Sequence, residues 1–262
     1  LHQTGPRAAY APQRNREYDL GTATATAAAT TLVGMNTRTS TPLIGALIFL
    51  LLYLAVSPVA GAFSIGDLPL PGSPPATVHD YLAVNTVPSL LTGLLQALSG
   101  IGLAVVVGSL PRAVDTDAAP LRTGVLGRLA GWIAVAAILL SAALSVVLGL
   151  ISPTATTDTV ALIRNFSFYS GGVTHVVALG VFVLAILAFH RSGKALRVLA
   201  AIAGGLAVAS VLSTVIFYAS LFLPVGRLAC MVVLVVAGII VARGRSIPAV
   251  AEGDRPRTRA GH

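Results

Sequence analysis

Charge is what this sequence has least of: only 10% of its 262 residues are charged, against roughly 25% in a soluble domain. With 55% of the chain hydrophobic, there is too little polar surface to cover a fold in water. Cysteine is nearly absent too. Cys230 stands alone within the last apolar block, which excludes an intrachain disulfide and any cysteine-rich zinc site. The apolar blocks contain no Asp or Glu, which counts against a pump or proton-driven transporter built on intramembrane carboxylates. No His-Glu-x-x-His pair and no Gly-x-Ser-x-Gly elbow occurs, so the common hydrolase signatures give no catalytic set. A Ser99–His175 dyad can be drawn across two blocks, but a packing serine and a hydrogen-bonded histidine are the plainer expectation. The five histidines (His2, His79, His175, His190 and His262) are scattered. His175 and His190 would stand about 22 Å apart on one helix, so neither a metal nor a haem is expected, nor any other cofactor.

What the chain does have is apolar blocks long enough to cross about 30 Å of hydrocarbon at 1.5 Å per residue. They predict an all-α, polytopic transmembrane bundle of six helices. The spans are read at 42–62, about 84–109, about 126–151, 171–189, 195–219 and 225–242. The loop after the first, residues 63–83, holds Pro69, Pro71, Pro74 and Pro75 and is expected to be rigid and non-helical. Residues 152–170, with Asp158 and Arg164, are read as a polar loop. Between the last two blocks, Ser220–Pro224 predicts a membrane-hugging hairpin turn.

Three domains follow. Residues 1–41 are a basic and Ala/Thr-rich tail with too few bulky apolar residues to bury against anything, expected to be disordered. Residues 42–243 are the membrane domain, and residues 244–262 form a short basic tail whose arginines meet anionic lipid. Met35 sits just before the first span, so residues 1–34 are expected to be either a translated upstream stretch or a dispensable tail.

The net charge of +8 does not point to nucleic acid, because the basic residues lie in short segments between apolar blocks. Of the 17 basic residues, all but Arg164 and Arg227 fall in the tails and the even-numbered loops. That alternation predicts both termini in the cytoplasm, and the setting is read as a bacterial or archaeal inner membrane.

Helices in lipid associate by close packing of small residues. The third span offers Gly127, Gly131, Ala137, Ser141, Ser145 and Gly149, and the fifth offers Ala201, Gly205, Ala209 and Ser213. Both sets are expected to face partner helices.

One polar constellation remains at the outer ends of the spans: Asn85, Thr86 and Pro88, then Tyr169 and His175, Tyr218, and Arg227. Arg164 and Arg227 need local reasons there: pairing with Asp158 or Asp80, snorkelling to lipid phosphate, or holding an anionic ligand. The ligand reading predicts a shallow outward-facing cavity lined by Asn85, Tyr169, His175 and Arg227, suited to an anionic headgroup or small anion.

The run Leu94–Arg112, the segment Leu126-Gly-Arg-Leu-Ala-Gly-Trp132 opening the third helix, and the basic turn Phe189-His-Arg-Ser-Gly-Lys194 leading into the fifth carry a resemblance of layout. In these the chain resembles the small six-helix bacterial and archaeal membrane proteins grouped under a domain of unknown function, across about residues 41–243. The resemblance implies a six-helix fold and no catalytic residue. The function expected is a non-enzymatic membrane component that binds membrane lipid, a membrane-protein partner or a second copy of itself. A small facilitator with an outward polar cavity and an intramembrane enzyme acting on lipid or peptide are the rivals.

Overall fold

The computed structural model describes residues 40–69, 72–113, 121–188, 193–214 and 222–243. The two tails, beyond residues 40 and 41, lie outside them, as do Tyr218 of the polar constellation and residues 220 and 221 of the hairpin turn read at 220–224, whose residues Phe222 to Pro224 are instead helical.

Six helices are long and apolar enough to cross a membrane, and no strand occurs among the described residues. In hydrocarbon every backbone N–H and C=O must be paired within the chain, which a continuous helix does locally. The spanning helices are α1 (Ser40–Ala62), α3 (Thr86–Ala113), α4 (Leu121–Ile151), α5 (Thr157–Leu187), α6 (Lys194–Ala209) and α7 (Phe222–Ala242), with a short α2 (Pro75–Val84) between the first two. Consecutive spans run antiparallel. The chain is an all-α, multi-pass membrane protein.

Close approaches through glycine set the packing. A Cβ on Gly102 of α3 would fall 2.7 Å from the backbone nitrogen of Phe49 on α1, and one on Gly180 of α5 would fall 2.8 Å from the carbonyl oxygen of Gly204 on α6. Gly226 of α7 likewise lies against the backbone of Ala207, and Gly238 against that of Leu43, so α7 closes the bundle onto α1. The centre belongs to α5, 67% of whose apolar window is buried against 17% for α1. Phe49, Leu103, Ile138, Phe182, Met231 and Leu234 form the main core around it.

Three sequence readings change. Residues 63–83 are not wholly non-helical, because α2 begins at Pro75; a proline in a first turn loses no helical hydrogen bond, and its fixed φ suits the helix. Residues 157–170 are helical rather than part of a loop. The Thr156 side chain caps α5 by accepting from the Thr159 N–H, and the helix runs on for 31 residues. At ~46 Å it exceeds the ~30 Å hydrocarbon thickness, so its first turns need only one apolar face. Val160 supplies that face, packing with Leu82 of α2 and Leu148 of α4 in a second small core. Finally, the buried stripe of α6 is Leu196, Ala200, Ala203, Gly204 and Ala207. Ala201 and Gly205, expected at a helix interface, face outward. The α4 ridge does meet partners: Gly127 and Gly131 lie against α5, and Gly149 against α3.

The end of the bundle that carries α2 is tied by Asn85. Its Oδ1 accepts from the Ile65 N–H at 2.7 Å, and its Nδ2 donates to the carbonyls of Ile65 and Tyr81 at 3.0 and 2.8 Å. The next residue, Gly66, has φ +78°, a left-handed turn for which glycine carries no Cβ penalty. His79 Nε2 donates to the Ala155 carbonyl at 3.1 Å, which joins α2 to the turn between α4 and α5.

Candidate functional site

The interior of a membrane bundle tolerates an arginine only where its guanidinium finds polar partners. Arg227 stands in the second turn of α7 and is 8% exposed. Its Nη1 donates to the Tyr53 hydroxyl of α1 and its Nη2 to the Gly171 carbonyl of α5. The guanidinium carbon also lies 4.7 Å from the centroid of the Tyr53 ring, within cation–π range. No carboxylate joins them: among the described residues the one approach of a basic side chain to a carboxylate is that of His79 Nδ1 to Asp80, at 3.5 Å. Arg164, too, has no carboxylate partner there, and its charge lies near Tyr81.

Gly171 reaches this position from an unusual stretch of α5. Residues Tyr169–Thr174 are π-helical, a local widening frequent at functional sites. A Cβ on Gly171 would run into Ser141 of α4, so glycine permits the helices to close there. Ser141 Oγ donates to the Ser167 carbonyl at 3.1 Å one turn away, so the α4–α5 seam beside the arginine is polar.

His175 follows immediately and is fully buried. A carbonyl only accepts, so the 2.8 Å contact between His175 Nδ1 and the Ala134 oxygen fixes the proton on Nδ1 in the neutral ring. Phe49 meets the imidazole edge to face at 6.0 Å. Ser99 is not part of a dyad with it, because the Ser99 hydroxyl donates to the Phe49 carbonyl at 2.8 Å. Arg227 and His175 stand near one another in this interior. Each still has a buried nitrogen without a partner among the described residues, Arg227 Nε and His175 Nε2.

No family model matches this chain, and neither does any curated protein or solved structure. The site is therefore read from its own geometry.

Of the four residues singled out in the sequence, two come together. His175 and Arg227 share the interior, Asn85 is spent on the Ile65 and Tyr81 backbone, and Tyr169 is 52% exposed with its ring against Phe168. The depth also differs from expectation. Because α5 starts at Thr157, His175 stands ~27 Å along it at 1.5 Å per residue, well inside the bundle rather than in the first turns of its helix. Sequence reading passes over Tyr53 and the Gly171 carbonyl. The four-residue spacing of Phe49 and Tyr53, which puts both on one face of α1, is the available signal. Among the described residues, no group of three or more His, Cys, Asp or Glu comes together.

Proposed function

We propose that this chain is a non-enzymatic membrane component that binds an anionic headgroup or small anion inside its bundle, with Arg227 as the charge that holds it and His175 beside it. The observation that carries the reading is a cation buried to 8% exposure whose protein partners are a phenol and a carbonyl, both neutral. An unneutralised charge in a low-dielectric interior is costly, and the cost falls when an anion joins it. Asn85 and Tyr169 then serve the fold and the outer surface rather than the ligand.

The alternation of basic segments supports an orientation with both termini in the cytoplasm of a bacterium or archaeon, and the α2 end of the bundle outside. Headgroup access from the outer leaflet follows from that orientation.

The test compares wild type with Arg227→Ala in phosphatidylcholine nanodiscs with and without an anionic phospholipid, and in lipid-free detergent with and without phosphate. Binding to the native state alone stabilises by about 2.7 kcal/mol at a ligand concentration 100-fold above Kd. The wild type should therefore gain thermal stability from an anion that Arg227→Ala does not gain. Equal gains in both proteins would overturn the proposal.

A further inference from the structure

Three buried side-chain atoms among the described residues have no hydrogen-bond partner: Arg227 Nε, His175 Nε2 and Gln96 Oε1. They come from three different helices, α7, α5 and α3, yet the packing sets them within about one turn of each other along the bundle. Ser99 binds the Phe49 carbonyl, which fixes the register of α3 against α1. From that contact Gln96 is one turn back along α3 and Tyr53 one turn forward along α1. The two helices are antiparallel, so both steps lead toward the α2 end. Gln96 therefore stands at the level of Tyr53, which is the level of Arg227. His175 lies one turn further in, against Phe49.

The three groups have different hydrogen-bonding characters. Arg227 Nε–H is a donor. His175 Nε2 is an acceptor because Nδ1 keeps the ring proton for Ala134, and Gln96 Oε1 is an acceptor. We infer that the ligand of this site is an oxyanion that still carries a hydroxyl proton, of the hydrogen-phosphate or phosphomonoester class, held by Arg227 through its charge and read by His175 and Gln96 through its O–H. A fully deprotonated oxyanion would satisfy the arginine but set its lone pairs against those of His175 and Gln96. A site built to accept a ligand hydrogen bond rejects analogues that lack the donor far more strongly than an apolar pocket rejects a missing methylene.

This rests on the anion-binding reading above and is tested so that the two can fail separately. Delipidated protein in detergent, near pH 6 where a phosphomonoester takes its second proton, is titrated with inorganic phosphate, which keeps an O–H, and with sulfate, which carries the larger negative charge and has none. In nanodiscs, phosphatidic acid is compared with phosphatidylmethanol, a diester with no hydroxyl. Phosphate should bind at least ten-fold more tightly than sulfate, or phosphatidic acid than phosphatidylmethanol; the arm that discriminates identifies the source as soluble or lipid. Gln96→Leu and His175→Phe should shrink that ratio while the residual affinity still depends on Arg227, a change that a purely structural role for either residue does not produce. Equal binding of hydroxylated and non-hydroxylated anions through Arg227 would overturn the inference and leave the anion site standing. A ratio unchanged in both variants would also overturn it. Binding that ignores Arg227 altogether would overturn both.

Discussion

Arg227 is legible as an anomaly in the sequence alone, because an arginine inside an apolar block on the side poor in basic residues demands a partner. Its partners are not legible there. Tyr53 is 174 positions away in the chain, and only the contact of α7 with α1 brings the phenol to the guanidinium. Asn85 shows the opposite failure: it is polar and at a helix end, which in sequence resembles a ligand group, but the backbone of the loop takes up its amide. Asn85→Ala would leave the Ile65 N–H and two carbonyls to find other partners. An intramolecular hydrogen bond contributes about 0.5–1.5 kcal/mol net, and three are lost here, so the variant should lose about 1–4 kcal/mol. The Ile65 amide should exchange with solvent much faster than in the wild type, with the core helices unchanged. Equal protection of Ile65 in both proteins would remove the clasp role.

At the scale of the element, small-residue spacing identifies α4 correctly and places α6 one residue out of phase. The reason lies in the run Ala200-Ala201-Ile202-Ala203-Gly204-Gly205, where adjacent small residues offer two ridges, and one residue turns a helix by about 100°. Only contact with α5 chooses between them. Gly204 and Gly205 therefore give an internal control. A Cβ on Gly204 would lie 2.5 Å from Leu184 Cγ and 2.9 Å from the Gly180 carbonyl, whereas one on Gly205 meets nothing within 4 Å. Gly204→Ala should destabilise by about 1–3 kcal/mol through overpacking. Gly205→Ala should be neutral or stabilising by up to about 1 kcal/mol through helix propensity. Denaturant unfolding in mixed micelles measures both, and effects of the same sign would contradict this packing. The length of α5 escapes the sequence for a related reason. Polar residues at 157–168 resemble a loop when judged by membrane hydropathy, but a helix that protrudes past the hydrocarbon needs only the narrow apolar face that Val160 and Ile163 provide.

For the whole molecule, six antiparallel spans put Ser40 and Ala242 at one face and α2 at the other. Single cysteines introduced at Ser73, Asp158 and Gly193 in a Cys230-free background test this arrangement in cells. The first two should react with an impermeant maleimide from outside, and the third only after the membrane is opened. Labelling of Ser73 and Asp158 on opposite sides would contradict the fold itself. Joint labelling of both from within would keep the fold and reverse the proposed orientation.

The sequence by itself determined that this is a membrane bundle of six helices and that an arginine lies within it, because hydrocarbon thickness and the cost of burying charge act on each segment alone. Tertiary structure decided which small residues face a neighbour, how deep His175 lies, and that Gln96 and Tyr53 stand at the level of Arg227 with His175 one turn further in. Those depend on the rotation and register of one helix against another, and in a chain this rich in alanine, glycine and leucine many registers pack almost equally well until every helix is in place.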